Sequence, residues 1–287
     1  MKIYDMHIHL GYAEQTADMI ERMTEAGVYG GCVFSTPPKE AKDICWKDFD
    51  DRLNEVLELS APYKDRLFPI LWIHPYEEDI MKKIDIAVEK GIDGFKIICN
   101  DFYVYDKKCL EILQKIADLG KPVFFHSGIL WDGNVSSEYN RPLNWEALLE
   151  IKGLRFSMGH CSWPWYDECL ALYGKFLHTS LHSETSEMFL DLTPGTPVVY
   201  REDLFKKLFL TGYNIEGNIM FGTDCTAEDY SSDMAKKWLR IDGELMDKFE
   251  VTESDRENIY HNNLMYFLGK TKREKIAKVF RAKFKEN

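Results

Sequence analysis

The chain has 287 residues, of which 45% are hydrophobic and 14% aromatic, and its formal net charge at pH 7 is −12. The length suffices for one large core, and the acidic balance argues against nucleic acid as a partner, because phosphate binding needs a basic face. The seven cysteines include no Cys-x-x-Cys pair, and we find neither a signal-peptide pattern nor an apolar run long enough to cross a bilayer, so we expect a cytoplasmic protein with reduced thiols and no membrane partner.

Eight short apolar segments recur along the chain. Each is mostly apolar on both faces, which is typical of strands in a buried parallel sheet. We predict strands at 2–6, 31–35, 67–73, 93–98, 122–126, 154–159, 187–192 and 218–223.

The segments between these strands have the pattern of amphipathic helices. Apolar residues recur at helical spacing before Gly91, and a second helix follows Asp106 and ends at Gly120. Further helices are predicted near 229–248 and 253–268. Strand and helix alternating eight times predict an α/β fold, a single (β/α)8 TIM barrel over residues 1–287 with extra C-terminal helices. A doubly wound open sheet is the alternative, but no glycine-rich phosphate loop opens any of the helices.

The last residues of the chain, 270–287, are basic, with eight Lys or Arg against two acidic residues. An anion-binding arm is one interpretation of this segment. We favour a terminal helix with a solvated basic face and an apolar stripe formed by Ile276, Val279, Phe280 and Phe284.

Histidines and other polar residues end several of the predicted strands. His7 and His9 are two residues apart on the first strand. Successive side chains of a strand point to opposite faces, so these two histidines point to the same face. Neutral imidazoles are strong ligands for zinc. Five of the eight histidines fall at strand ends, where the chemistry of such barrels sits. Scattered structural histidines would not gather on one rim, so the pattern predicts a metal site. The rim set is His7, His9, His74, Lys96, His126, His160 and Asp224.

Three residues at or near this rim have a plainer interpretation. His74 precedes Pro75, and one interpretation is that it does no more than shape the turn. We keep it as a candidate for substrate binding. Cys161 and Cys225 each follow a rim residue, and a nucleophilic thiol is one possibility. A buried thiol that fills space is favoured for both.

At these positions the sequence resembles the amidohydrolase superfamily. The shared features are His7-Ile8-His9 on strand one, histidines that end strands five and six, and an aspartate that ends strand eight. The one-domain layout, the strand with Lys96 and the closing stretch 258–264 are similar to the amidohydrolase-related branch (amidohydrolase 2). That branch includes aminocarboxymuconate-semialdehyde decarboxylase, resorcylate-type decarboxylases and lactonases. The resemblance covers nearly the whole chain and is specific for fold and metal, but poorly specific for reaction.

The resemblance implies that His7, His9, His126 and Asp224 bind one divalent metal, with His160 beside it as an acid/base or second ligand. Zn²⁺ is favoured, with Mn²⁺ or Fe²⁺ as alternatives. Three histidines and a carboxylate leave a place for water, whose pKa a bound zinc lowers to about 7. Asp224 can then accept the proton of that water, and His160 can polarise or protonate the substrate oxygen.

Lys96 leaves the number of metals open. In two-metal relatives a lysine on strand four is carbamylated and bridges both ions, whereas one-metal relatives lack that role. An unmodified ammonium on the inner wall would instead bind a substrate carboxylate. We favour the unmodified lysine and a single metal.

The loops after strands five and six predict an aromatic pocket that selects anions. Residues 129–142 form a long loop, and Trp163-Pro164-Trp165 follows strand six. Long loops at this face usually build the substrate pocket, although packing between loops is the alternative for the tryptophans. Arg141 is a candidate for substrate binding, with a surface ion pair to Glu138 as the alternative.

We therefore predict a metal-dependent hydrolase that acts on a C–N or C–O bond of a small substrate bearing a carboxylate. Catalysis is assigned to His160 and Asp224. The residues assigned to substrate binding are Lys96, Arg141, Trp163 and His74. One alternative is the non-oxidative decarboxylation of an aromatic or enoic acid on the same scaffold, and another is a binding protein that has lost its chemistry. A homo-oligomer is left open.

Overall fold

The computed structural model describes residues 1–11, 18–43, 45–273 and 278–280. Within these residues, nine strands form one parallel sheet in the order β8-β7-β6-β5-β4-β3-β2-β1-β9. Every predicted strand is confirmed, with bounds that differ by a few residues. The strands are β1 (Tyr4–His9), β2 (Gly30–Phe34), β3 (Leu67–Trp72), β4 (Gly94–Ile97), β5 (Val123–Phe125), β6 (Arg155–Met158), β7 (Glu187–Asp191), β8 (Ile219–Met220) and β9 (Cys225–Thr226).

The sheet curls so that its first and last strands approach each other. β9 pairs with β1 in parallel, while β8 pairs with β7 at the opposite end of the strand order. The segment that connects β8 to β9 also bonds to β1. The backbone N–H of Met6 in β1 donates to the carbonyl of Phe221 at 2.9 Å, and the N–H of Asp224 donates to the carbonyl of His7 at 3.0 Å. The residues that follow β8 therefore lie directly beside β1.

Helices flank the sheet and bury apolar faces against it. In α4, for example, Cys109, Ile112, Leu113 and Ile116 are buried on one side. The hydroxyl of Ser231 caps the N-terminus of α7 by accepting the N–H of Met234. The helices are α1 (Met19–Glu25), α2 (Phe49–Ser60), α3 (Ile80–Lys90), α4 (Lys107–Asp118), α5 (Tyr166–Ser180), α6 (Val198–Leu210), α7 (Ser232–Lys248), α8 (Glu253–Glu257) and α9 (Asn263–Phe267), with a π-helical turn (Asn258–Asn262) between α8 and α9.

The predicted alternation of strand and helix fails at one connection. Between β5 and β6, all of whose residues are described, two 3₁₀ segments, Ser137–Asn140 and Pro142–Glu150, replace the expected α-helix. Pro142 begins the second segment, and the N–H of Gly128 donates to the carbonyl of Asn140 at 3.0 Å. These features hold the connection close to the end of β5, where it forms part of the site described below.

A small apolar cluster, which we name the α9 cluster, lies where α9 packs against the strands. Ring centroids of Phe124 and Phe189 each lie 4.9 Å from that of Phe267 on α9, and Phe34 lies 5.1 Å from Phe124. The cluster comprises Tyr4, Met6, Cys32, Phe34, Phe68, Ile70, Phe124, Phe189, Met220, Leu264, Phe267 and Leu268. Because Phe34 also contacts the His7 ring at 4.7 Å, the cluster forms the floor beneath the histidines.

The predicted C-terminal helix falls largely on residues 274–277 and 281–287, which are not among those described. Six of the seven cysteines, all except Cys45, are buried thiols. In the described part of the chain, no helix combines the length and the apolar character needed to cross a membrane.

Candidate metal and substrate site

A cavity of about 310 Å³ lies where the carboxyl ends of the strands meet. Seven of the nine site residues predicted from the sequence line it, and they come from five different strands or the residues that follow them. These seven are His7, His9, Lys96, His126, His160, Trp163 and Asp224. Other lining residues include Trp72, Ile98, Asn100, Ile129, Leu130 and Trp131. The structure therefore brings most of the predicted rim together around one space.

His7, His9 and Asp224 present their donor atoms as a small triangle. The Nε2 atoms of His7 and His9 are 3.1 Å apart, and the Oδ1 atom of Asp224 lies 3.4 Å from the first and 3.2 Å from the second. Ligand atoms of a tetrahedral zinc with bonds near 2.0–2.1 Å are separated by about 3.3 Å. The three donors thus have the chemistry and the spacing to hold one divalent metal.

The end of β1 places the two histidines. The sequence predicted that this strand stops at residue 6, but it continues through His9, because Ile8 and His9 pair with β2 on one side and with β9 on the other. The register shifts between Asp5 and Ile8, an irregularity that frequently re-aims side chains next to sites. The histidines are therefore held inside the sheet rather than on a loop after it.

Asp191, at the end of β7, orients His7. Its Oδ2 atom lies 2.6 Å from Nδ1 of His7, and both residues are buried. A carboxylate only accepts, so Nδ1 carries the proton and Nε2 keeps its lone pair for a metal. Burial, and then the charge of Lys96, lower the pKa of His7 well below its usual value, so the ring is neutral. Sequence reasoning missed Asp191, although it ends a predicted strand as the chosen residues do.

Asp224 is held in its ionised form. Burial raises its pKa, but the electrostatic interaction with the His7 ring and the hydrogen bond with the His9 ring act more strongly in the opposite direction, so the pKa lies well below the usual value. The residue has a φ of 62°, in the left-handed region, and its N–H donates to the carbonyl of His7. A carboxylate in this state can bind a cation or accept a proton.

Buried Asp5 joins β1 to the residues after β8. It accepts four hydrogen bonds, from the N–H of His7 (3.0 Å), the N–H and hydroxyl of Thr223 (2.9 and 2.6 Å) and the hydroxyl of Tyr230 (3.0 Å). Burial raises the pKa of Asp5 to about 7. This network fixes the backbone on both sides of the candidate metal-binding side chains, and it was not predicted from the sequence.

His160 follows β6 and reaches the same space. The candidate donor atoms of His7, His160 and Asp224 all lie within 4.8 Å of one another. The Nδ1 atom of His160 is 2.8 Å from the hydroxyl of Thr193, and its ring lies 5.4 Å from that of His7 and 5.1 Å from that of His126. These distances suit the expected place of His160 beside the metal.

His126 lines the cavity, but its ring is engaged elsewhere in this arrangement. The Nε2 atom lies 3.2 Å from the carbonyl of Ile129, which only accepts, so Nε2 carries the proton and Nδ1 keeps the lone pair. Burial lowers the pKa of His126 well below its usual value, which keeps the ring neutral. Its role as a metal ligand stays a prediction.

Lys96 lies on the inner wall of the cavity. It is buried, its Nζ is 3.4 Å from Nε2 of His7, and it lies 4.7 Å above the centre of the Phe34 ring. Burial lowers the pKa of Lys96 to about 8. It is the one lysine among the described residues that line the cavity, and none of those residues is an arginine. An anionic group that enters the cavity would meet this ammonium.

Two of the predicted substrate-binding residues, His74 and Arg141, have other partners and are not in the described cavity lining. His74 Nε2 lies 3.2 Å from Oδ1 of Asp101, and its Nδ1 accepts the N–H of Tyr76, as the turn interpretation anticipated. Arg141 pairs with Glu168 at 3.2 Å rather than with its sequence neighbour Glu138.

Comparison with solved structures shows a shared fold at low sequence identity. A 2,6-dihydroxybenzoate decarboxylase from Rhizobium is 12% identical, with a TM-score of 0.65 over 94% of this chain and 99% of the other. A probable 2-pyrone-4,6-dicarboxylic acid hydrolase from Acinetobacter baumannii is 13% identical, with a TM-score of 0.59 over 94% and 100%. A dihydroorotase from Campylobacter jejuni is 15% identical, with a TM-score of 0.57 over 95% and 85%. A sequence search of curated proteins finds no match.

The sequence itself matches a family model. The model is described as amidohydrolase, and it covers residues 4–268, from the first residue of β1 to the residue after α9. The expected resemblance is therefore confirmed, and this chain belongs to the amidohydrolase family.

Proposed function

We propose that this protein is a metal-dependent hydrolase that cleaves a C–N or C–O bond in a small substrate bearing a carboxylate. The observation that carries the proposal is the triangle of His7, His9 and Asp224 donors, with Lys96 beside it in the same cavity. A volume of about 310 Å³ is at the small end for ligand pockets, which favours a small substrate.

We also infer that β8 and β9 are the two ends of one strand, so that a single domain forms a closed eight-stranded barrel with extra C-terminal helices. The backbone hydrogen bonds from Met6 to Phe221 and from Asp224 to His7 support this inference, because they join β1 to the residues that connect β8 to β9. In such a barrel the cavity would lie at the face where catalytic residues occur.

The residues that would hold a metal are His7, His9 and Asp224, with His126 as the predicted fourth ligand. A divalent metal such as Zn²⁺ supplies Lewis acidity at such a site, lowering the pKa of water and polarising a substrate oxygen. Asp191 keeps the proton of His7 on Nδ1, so that Nε2 faces the other donors. Neutral histidines and an ionised carboxylate are the forms that metal binding requires.

The remaining chemistry is assigned to side chains around these donors. Asp224 accepts the proton of the attacking water on its carboxylate, and His160 acts as acid or base towards the substrate oxygen or nitrogen. Lys96 holds the substrate carboxylate through a charge-assisted hydrogen bond. Trp131 and Trp163, which line the cavity, exclude water from the bound substrate.

Lys96 is proposed to be unmodified and the site to hold one metal. Its Nζ already lies within 3.4 Å of His7 in a buried position, which suits an ammonium that meets a substrate anion. Intact-protein mass spectrometry should then show no carbamate, and activity should not depend on added bicarbonate. Two metals per chain together with a carbamylated Lys96 would overturn this part of the proposal.

The reaction type is tested with zinc-loaded protein and a panel of lactones, N-acyl amino acids and aromatic acids. For any substrate that turns over in water enriched in oxygen-18, we expect one labelled oxygen in the product and no carbon dioxide. Stoichiometric carbon dioxide without solvent oxygen in the product would instead assign the decarboxylase alternative. Metal binding without turnover of any panel member would favour the binding-protein alternative.

A further inference from the structure

His160 lies on a left-handed turn that directly follows β6. The φ values of His160, Cys161 and Ser162 are 56°, 46° and 61°, in a region that residues other than glycine rarely adopt. Such a conformation is strained, and it persists only where the surrounding structure holds it. Backbone angles limit the directions that a side chain can take, so the contacts that hold this turn also decide where the His160 ring points.

Two buried serine hydroxyls, which we name the serine pair, connect this turn to the end of β5. The hydroxyl of Ser127 donates to the backbone carbonyl of Gly159 at 2.7 Å, and its oxygen lies 2.8 Å from the hydroxyl oxygen of Ser162. Ser127 is 1% exposed and Ser162 is fully buried, so these contacts are shielded from water. Because one contact lies just before His160 and the other two residues after it, the serine pair spans the strained turn.

Further contacts hold the turn from the strands on both sides of β6. On the β5 side, the N–H of Ile129 donates to the carbonyl of Trp163 at 3.0 Å, and a Cβ at Gly128 would be 2.3 Å from the same carbonyl oxygen. On the β7 side, the Sγ atom of Cys161 donates to the backbone carbonyl of Asp191 at 3.2 Å. The turn is therefore packed between its two neighbours, and the serine pair is the side-chain connection to β5.

We propose that Ser127 and Ser162 are positioning residues, whose paired hydroxyls hold the strained turn and so keep the His160 ring directed into the cavity. Ser127 directly follows His126, so the same contacts fix the His126 and His160 rings at their separation of 5.1 Å. Without the hydroxyls the turn relaxes towards ordinary backbone angles, and the His160 ring is displaced. The catalytic consequence rests on the proposed function of His160 as acid or base, whereas the position of the ring does not.

The test is NMR of the histidine ring signals in the full-length protein, as purified and after removal of metal by chelation. The signals of His160 are assigned by their loss in His160→Gln, and they are sensitive to position because the ring lies 5.4 Å from the His7 ring. Ser162→Ala keeps the strained backbone but lacks the hydroxyl, so we expect it to shift the His160 signals. The signals of distant His261 should stay unchanged.

A glycine variant separates the held turn from the hydroxyl itself. Ser162→Gly also lacks the hydroxyl, but glycine adopts a positive φ at little cost, so the turn should persist and the His160 signals should stay close to their original positions. Ser127→Ala removes the other hydroxyl and should shift the same signals as Ser162→Ala, which keeps the test available if Ser162→Ala does not fold.

The matched control is Ser186→Ala. The hydroxyl of Ser186 is also buried and lies 2.7 Å and 2.9 Å from the carbonyls of Leu148 and Ile151, but it precedes β7, at the end of the strand away from the cavity. This variant should leave the His160 signals and turnover unchanged. On any substrate found, Ser162→Ala should lower kcat by about 10- to 100-fold, the scale for a misplaced reacting group, with little change in KM because the substrate carboxylate is assigned to Lys96.

Two results would overturn the proposal: unchanged His160 signals in folded Ser162→Ala and Ser127→Ala variants, or equal displacement of the signals in Ser162→Gly and Ser162→Ala. Both are read without substrate. Absent turnover in a protein whose His160 signals respond as expected would count against the proposed hydrolysis alone, so the two failures are distinguishable.

Discussion

The α9 cluster and the cavity above it are both built from strands of the same sheet, yet the side chains that fill them differ. Phe34 marks the boundary, with Phe124 at 5.1 Å on one side and His7 at 4.7 Å on the other. Below it the contacts are between aromatic and aliphatic side chains. Above it, Asp5 and Asp191 are completely or almost completely buried and are engaged by specific donors.

The difference separates the residues that stabilise the fold from the residues that orient the side chains of the candidate site. Apolar burial contributes about 25 cal/mol per Å² and depends mainly on volume and shape. A buried carboxylate is costly unless it is hydrogen-bonded, so Asp5 and Asp191, which lie behind the cavity lining, each require specific partners. We therefore expect substitutions in the α9 cluster to lower stability, and substitutions in the cavity to lower metal binding or turnover in protein that stays folded.

The largest stability effect is expected for Phe267→Ala. The Phe267 ring packs edge-on against Phe124 and Phe189, and its removal should lower the free energy of unfolding by about 3–5 kcal/mol, measured by urea denaturation. Phe267→Leu, which keeps most of the volume, is the control and should cost less. A loss below about 1 kcal/mol for the alanine variant would show that the cluster does not carry the stability assigned to it.

In the cavity, Asp224→Asn should lower turnover by more than about 100-fold, the scale for the loss of a positioned acid or base. The variant should retain its fold, judged by circular dichroism and thermal unfolding. Asp229→Asn, at an exposed residue that pairs with Arg22, is the matched control and should keep its activity. Comparable loss in both variants would contradict the assignment of Asp224.

Asp191→Asn tests the residue that orients His7. We expect metal affinity to fall by about 10- to 100-fold, the usual range for partners behind a ligating histidine, measured by competition with a chelator. Asp167→Asn, at an exposed carboxylate that pairs with Lys207, should leave affinity unchanged. Unchanged affinity in Asp191→Asn would mean that the 2.6 Å contact is structural only.

The smallest stability effect is expected at the mouth of the cavity. Trp131 lines the cavity while 82% of its surface is exposed, so Trp131→Ala should change the free energy of unfolding by less than about 0.5 kcal/mol. If the ring covers bound substrate, KM should rise in this variant. An unchanged KM would show that Trp131 does not contact bound substrate.

The strands and most of the cavity residues were predictable, because apolar segments and the polar residues that end them can be read directly from the chain. Asp191 ends β7 and could have been found by the same rule, because the rule applies to any polar residue at the end of a strand and not to histidines alone. The 3₁₀ connection after β5 and the pairing of Arg141 with Glu168 could not be predicted, since they depend on how distant segments pack.

The central claim, a metal held by the strand-one histidines, is tested most directly by elemental analysis of the purified protein. We predict about one divalent metal per chain in the unaltered protein and none when His7 and His9 are both changed to alanine. The matched control changes His178 and His182, an exposed pair whose rings lie 5.0 Å apart, and should retain the metal. Full occupancy in the His7 and His9 double variant would contradict the account.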